Sequence, residues 1–142
     1  MDTTKPNTKS VWPFWAILGV SILTSSGAAF LITWQSLKRI GEEKAAKKFF
    51  LIGGFSVILI QLIVVLLLSS TSLEPAGNIL WLVGTGFPWW FKVKYLDKWQ
   101  SQSDNKTSFS LDIMGWMVLG ILLTIVISVL FSLVIDPSVY HT

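Results

Sequence analysis

Long uncharged stretches of apolar residues alternate along the chain with short charged segments. Three stretches, residues 11–34, 49–70 and 113–135, contain no Asp, Glu, Lys or Arg and count 24, 22 and 23 residues. An α-helix rises about 1.5 Å per residue, so about 20 apolar residues cross the ~30 Å hydrocarbon core of a bilayer. Each stretch can therefore form a transmembrane helix, and the pattern predicts an all-α integral membrane protein.

A fourth stretch, residues 76–91, is also uncharged but is only 16 residues long. As a helix it would extend about 24 Å, which is less than the thickness of the hydrocarbon core. It also contains Gly84, Gly86 and Pro88, which disfavour a regular helix. Three interpretations are open: a short, kinked fourth span, a re-entrant segment, or a helix at the membrane interface.

The positions of the basic residues favour a fourth span. Short loops rich in Lys and Arg stay on the cytoplasmic side of a membrane. If residues 76–91 cross, nine basic residues lie inside and two, Lys5 and Lys9, lie outside; if they do not cross, the split is five to six. We therefore predict four transmembrane helices, with the N-terminus and the C-terminus both outside. The alternative is three spans plus a re-entrant or interfacial segment.

A tight turn is predicted between the first two spans. The first helix is expected to continue without a break past its apolar stretch as far as Gly41. Glycine adopts, without steric cost, the left-handed conformation that ends many helices. Glu42 and Glu43 then begin the next helix, where negative charge complements the helix dipole.

The composition agrees with a membrane protein and changes how the net charge of +3 is interpreted. Hydrophobic residues make up 52% of the chain and charged residues 13%, and we expect one polytopic domain, 1–142, with polar tails at 1–10 and 137–142. The basic residues flank apolar stretches, so we expect them to contact anionic lipid headgroups and not nucleic acid. The candidate headgroup contacts are Lys44, Lys47, Lys48, Lys92 and Lys94.

Small and hydroxyl-bearing residues recur at every fourth position in the first and last stretches. Residues spaced by four share one helix face, where small side chains let two helices approach and hydroxyls bond across the interface. The pattern favours packing of these two helices against each other; a polar seam that lines a path or docks another helix is the alternative. The residues are Ser21, Ser25, Ala29 and Thr33 in the first stretch, and Gly120, Thr124, Ser128 and Ser132 in the last.

Two further features are candidates for a specific contact within the membrane. Gln61 carries the only amide in the middle of a span, and an amide in hydrocarbon is costly unless it is paired. We expect it to bond a Thr, a Ser or a backbone group of a neighbouring helix, with a substrate contact as the alternative. The candidate intramembrane polar contacts are Gln61, Thr124 and Ser128. The sequence from Gly84 to Pro88 predicts a kink, or else a helix break of the kind that transporters use to present backbone groups to a substrate.

The chain lacks the residues that most catalytic and ion-coupled mechanisms need. It has no cysteine, and no predicted span contains an ionisable residue. This disfavours thiolate chemistry, intramembrane acid–base catalysis and ion-coupled transport, and no catalytic, cofactor-binding or metal-binding residue is predicted. We therefore expect a protein that is not an enzyme and needs no cofactor.

The leading functional interpretation is an accessory, regulatory or immunity-type subunit that acts through helix packing and basic cytoplasmic loops. Its expected partners are the bilayer and another membrane protein or a second copy of the chain. The alternatives are a subunit of a transporter or channel and, without support from any motif, a lipid-modifying enzyme. The expected location is a cell membrane, as a multi-pass protein, and in particular a bacterial cytoplasmic membrane.

Overall fold

A computed structural model describes residues 10–70, 74–102 and 106–135, and this part of the chain is all-α. The predicted polar tails therefore lie almost entirely outside the described residues. Helical structure accounts for most of the described chain, in six α-helices and one π-helical turn. Their bounds are α1 Phe14–Leu23, α2 Ser26–Arg39, α3 Glu43–Ser70, α4 Glu74–Phe91, the π-helical turn Lys92–Leu96, α5 Asp97–Ser101 and α6 Leu111–Ile135.

The first apolar stretch is not one helix but two, and the chain reverses direction between them. The Arg39 guanidinium, at the end of α2, donates to the Ser10 carbonyl just before α1, over a distance of 2.7 Å. A continuous helix between these residues would separate them by about 40 Å, at about 1.5 Å per residue. Helices α1 and α2 therefore form an antiparallel hairpin, and the prediction of a single helix over residues 11–34 is wrong.

The local chemistry of hydroxyl side chains accounts for the break between α1 and α2. Thr24 leaves helical geometry, with φ −114° and ψ −96°, and Ser25 is fully extended. The Ser25 hydroxyl accepts from the Ala28 N–H at 3.2 Å, which is an N-cap of α2. An N-cap satisfies one of the backbone donors that a new helix leaves unpaired, so these residues begin a helix more readily than they continue one.

Helix α2 is the centre of the bundle. Every residue from Ser26 to Thr33 is buried, and α2 packs against α1, α3, α4 and α6. It ends as the sequence predicts: Gly41 has φ +87°, and the Glu42 N–H bonds the Leu37 carbonyl at 3.1 Å. This is a Schellman motif, in which the left-handed residue lets the chain turn and satisfy the last helical carbonyls.

The other three predicted spans correspond to α3, α4 and α6. Among the described residues, two helical segments are long and apolar enough to cross a membrane, Glu43–Leu67 and Leu111–Ile135. Helix α4 has 18 residues, with Pro88 inside it, and continues without interruption through the π-helical turn into α5. The segment around Pro88 is therefore helical, although proline cannot donate the backbone hydrogen bond that a regular helix has at this position.

All nine basic residues of the described chain lie at one end of the bundle, which we call the basic end. They lie in the last turn of α2, the first turns of α3, the π-helical turn, α5 and the segment before α6. Ser10 lies at the same end, because it bonds Arg39, and Ile135 and Glu74 belong to the opposite end. A first span that crosses would separate Ser10 from the basic turn around Gly41 by the length of a helix, whereas the structure brings both to the basic end.

Candidate functional site

A short chain of hydroxyl groups joins the α1–α2 hairpin to α6. The Thr124 hydroxyl lies 2.9 Å from the Gly120 carbonyl and 3.2 Å from the Ser25 hydroxyl. A carbonyl can only accept, so the Thr124 proton serves Gly120 and the Ser25 hydroxyl donates to Thr124. Ser25 thus caps α2 and bonds α6 at the same time, so this pair fixes the turn of the hairpin against its neighbour.

Small residues bring α2 and α6 into close backbone contact beside this hydroxyl chain. A Cβ added to Gly120 would lie 2.5 Å from the Cα of Ala28, and one added to Gly27 would lie 2.8 Å from the Gly120 carbonyl oxygen. Neither distance is compatible with a real side chain. The two predicted small-residue faces meet through Ser25 and Thr124, whereas Gly120 contacts Gly27 and Ala28, which lie outside the predicted face of the first stretch. Backbones this close leave no room for a path between them.

Gln61 lies in the interior and bonds the last helix. It is 1% exposed, and its Oε1 accepts from the Ser128 hydroxyl at 3.2 Å. Its Nε2 has no partner among the described residues. The Ser132 hydroxyl bonds the Ser128 carbonyl of its own helix, and so adds nothing between helices. The three candidate contacts Gln61, Thr124 and Ser128 thus form two separate links to α6, one from α3 and one from the hairpin.

The segment Gly84–Pro88 is a packing surface within a continuous helix. A Cβ added to Gly84 would lie 3.2 Å from the Ser21 carbonyl oxygen, so glycine lets α4 approach the end of α1. The Thr85 hydroxyl bonds the Trp81 carbonyl of its own helix at 3.0 Å. Pro88 is fully buried. Of the two interpretations of this segment, the arrangement favours close helix packing, because the backbone remains helical throughout.

One arginine joins three separate segments at the basic end. The guanidinium of Arg39 bonds the Ser10 carbonyl, lies 3.4 Å from the Ser110 hydroxyl and forms an ion pair with Asp112 at 3.5 Å. Its side chain is 7% exposed, whereas that of Asp112 is 78% exposed. An arginine with this many fixed acceptors positions the start of α1 and the start of α6 against the end of α2. The contact between Arg39 and Asp112 is the one ion pair among the described residues.

Lysines and aromatic rings alternate around the basic end. The Lys92 ammonium lies 4.6 Å from the centre of the Phe14 ring, and Phe14 in turn stacks on Trp89. The Lys94 ammonium lies 5.7 Å from the ring centres of both Trp90 and Tyr95. Cations at these distances interact with the ring faces while the ammonium groups stay accessible. The other three candidate headgroup contacts, Lys44, Lys47 and Lys48, are exposed at the start of α3.

A cleft of about 390 Å³ separates α3 from α4 and the π-helical turn at the basic end. Phe49, Phe87 and Trp90 form aromatic walls, and Lys48 and Lys94 stand at its edge. The sequence analysis identified both lysines but not that they line one cleft. The sequence could not show this, because helical periodicity does not reveal that α3 packs beside residues 87–95. We call this space the α3–α4 cleft.

Within the described residues, no group of three or more His, Cys, Asp or Glu side chains could hold a metal ion. The chain matches no family model, no curated protein and no solved structure. Its function must therefore be argued from the chemistry and geometry of its own residues.

Proposed function

We propose that this protein is a small multi-pass membrane protein that acts without catalysis, as an accessory or regulatory subunit. The observation that carries the proposal is the separation of charge from apolar surface. Every described basic residue lies at one end, and in α6 only 6% of the most apolar 18-residue window is buried within the chain. A soluble monomer rarely exposes contiguous apolar patches above a few hundred square ångströms, so lipid or another membrane protein must cover this helix.

In the proposed topology, α3, α4 and α6 cross the membrane and the α1–α2 hairpin is re-entrant. Helices α3 and α6 extend about 42 Å and about 37 Å, whereas α1 extends about 15 Å and reaches only part of the way. The positive-inside rule puts the basic end, and Ser10 with it, on the cytoplasmic side. Irregular backbone at membrane depth is tolerated where its polar groups find partners: the Thr24 N–H bonds the Val20 carbonyl, and the Ser25 hydroxyl bonds the Ala28 N–H and α6.

The interior supports a role in interaction better than a role in chemistry. Its buried polar groups are hydroxyls and one amide, and most of the bonds described above are made within or between helices of the bundle. Among the described residues, no Asp, Glu, His or Lys is buried beside them to act as a general base or to activate a hydroxyl. Of the two long apolar helices, α6 leaves the larger share of its surface uncovered, and this face and the lysine-rich basic end are the surfaces that we expect a partner to contact.

The test combines crosslinking in cells with a flux measurement on the purified protein. A photo-crosslinking residue at Val126, on the exposed face of α6, is expected to give one reproducible adduct with a membrane protein of the native host. The matched control is the same residue at Leu59 on α3, which is also exposed but belongs to a helix with more of its surface buried. Solute-selective flux through liposomes containing the purified chain alone would contradict the proposal.

A transporter or channel subunit is the second candidate, and the hairpin favours it. The hairpin turn brings two helix ends to membrane depth in the proposed topology, and several transporters bind ions or substrates at such helix ends. The close contact of Gly27 with Gly120 opposes this candidate, because it fills the space beside the hairpin turn. Flux that is lost in Gln61→Leu would support it over the accessory role.

A further inference from the structure

We propose that the α3–α4 cleft is a specific binding site for one anionic phospholipid. The phosphate would lie between Lys48 and Lys94, and an acyl chain would follow the aromatic walls toward Ser56. This inference rests on the proposed membrane topology, because it requires the basic end to lie at headgroup depth. It goes beyond that topology in assigning one lipid to one cleft instead of a diffuse attraction of lysines to the membrane surface.

The edge of the cleft is positively charged and unopposed. Lys48 on α3 and Lys94 on the π-helical turn are both exposed, and none of the described Asp and Glu residues lines the cleft. Neither lysine has a carboxylate partner in the described chain, where the ion pair of Arg39 stands alone. Two ammonium groups on facing elements can contact one phosphate from both sides, whereas lysines along one helix face would contact separate lipids.

The interior of the cleft is aromatic and apolar, as an acyl chain requires. Phe49 stacks on Trp90 with the ring centres 5.2 Å apart, and Phe87 meets Phe49 edge-to-face at 5.4 Å. Ile52 borders the cleft and is 57% exposed, so the cleft opens sideways along α3, where the acyl chains of the surrounding bilayer would lie. A soluble phosphate compound could use the lysines but has no chain to fill the apolar part.

The π-helical turn explains how Lys94 and Tyr95 reach the cleft. A π-helical turn changes the angular positions of the residues that follow it, and such turns occur frequently at functional sites. Here the turn begins at Lys92, four residues after Pro88, and Tyr95 lies edge-on to Trp90 with ring centres 5.2 Å apart. Tyr95 and Lys94 thus border the same cleft although they are neighbours in sequence.

A second groove on the bundle provides an instructive contrast. It has a volume of about 510 Å³ and lies between α2, α3 and α6, with Phe30, Phe55 and Leu123 among its lining residues. No charged residue lines it. It offers an acyl chain an apolar surface but no charge for a headgroup, so of these two grooves it is the α3–α4 cleft that combines the two halves of a phospholipid site.

The test is lipid binding to the purified full-length protein, measured by native mass spectrometry as lipid is added. The probes are phosphatidylglycerol and phosphatidylcholine with identical acyl chains. We expect one phosphatidylglycerol to bind preferentially, and its affinity to fall about ten- to thirtyfold in the double variant Lys48→Gln, Lys94→Gln. The matched control is Lys44→Gln, Lys47→Gln, which removes the same charge from the basic end without touching the cleft, and should change the affinity less than about threefold.

Three results would overturn the lipid site. They are equal losses in the two double variants, equal binding of the two lipids, and displacement of phosphatidylglycerol by free glycerol phosphate at submillimolar concentration. The variant Ser56→Phe gives an independent check of the apolar part: it leaves both lysines in place but fills the cleft, so it should also weaken binding. Failure of the membrane assignment would be seen separately, as release of the protein from membranes washed with alkaline carbonate.

Discussion

Single small residues decide how closely the helices of this protein approach. Glycine at position 120 lets α6 touch the backbone of α2, and the Ser25 hydroxyl both caps α2 and bonds Thr124. In lipid the hydrophobic effect does not drive helix association, so such close packing and interhelical hydrogen bonds must stabilise the bundle. The sequence indicated these residues by their spacing of four. It could not show which members of each face meet.

Gly120→Ala should destabilise the protein, because the added methyl would meet the backbone of Ala28, which cannot rotate away. We expect a loss of about 1–3 kcal/mol in the free energy of unfolding. Gly115→Ala is the control: it lies on the same helix with nothing within 4 Å of the added Cβ, and should gain up to about 1 kcal/mol of helix propensity. Reversible unfolding in mixed micelles, followed by tryptophan fluorescence, measures both. Equal effects of the two changes would contradict the close contact.

The bond between Gln61 and Ser128 should stabilise the bundle only modestly. A double-mutant cycle with Gln61→Leu and Ser128→Ala is expected to give a coupling of about 0.6 kcal/mol, the average for such bonds in membranes. Gln61→Leu alone should change the free energy of unfolding by less than about 1 kcal/mol, because it also removes the unpaired, buried Nε2. An absence of coupling would show that the two side chains do not bond.

At the scale of helices, hydrophobic patterning predicted most elements and missed one reversal. The stretches 49–70, 76–91 and 113–135 lie within α3, α4 and α6, and Gly41 ends α2 as expected. The prediction of one helix over residues 11–34 is wrong because a run of uncharged residues indicates an apolar environment but not that the chain crosses it in one direction. Ser25, which is followed by a run of small residues, is the residue whose type could have indicated a new N-cap. Its spacing of four from Ser21 and Ala29 indicates only a packing face.

The hairpin can be tested by a disulfide, since the chain contains no cysteine. The Ser108 N–H donates to the Val11 carbonyl at 2.9 Å, which keeps the two Cα atoms about 5–6.5 Å apart and within disulfide range. The pair Val11→Cys, Ser108→Cys should therefore crosslink under mild oxidation. The control pair Val11→Cys, Asn78→Cys should not, because Asn78 belongs to the far end of α4. If the first pair stays reduced in folded protein, α1 does not start beside α6.

At the scale of the whole molecule, the hairpin changes the topology. A first helix that crosses would put Ser10 and Arg39 on opposite faces of the membrane, whereas a re-entrant hairpin puts them on the same face. Both arrangements place every described basic residue at one end, which is the distribution that the positive-inside rule favours, so the hairpin changes the proposed side of the N-terminus and not that of the basic end. The proposed headgroup site and the proposed partner face on α6 therefore do not depend on which arrangement is right. Counting basic residues could not reveal the hairpin, because Lys5 and Lys9 are only two of the eleven basic residues and the count favours the same cytoplasmic end for either course of residues 11–34.

The most direct test of this account is the sidedness of three single cysteines, at Thr8, Asn78 and Gln100, probed in intact cells with a membrane-impermeant maleimide. Thr8 lies two residues before Ser10, Gln100 lies on α5 at the basic end, and Asn78 lies near the start of α4. We predict that Thr8→Cys and Gln100→Cys are protected until the membrane is opened, and that Asn78→Cys is labelled from outside. Labelling of Thr8→Cys from outside, with Gln100→Cys still protected, would contradict the re-entrant hairpin and the topology built on it.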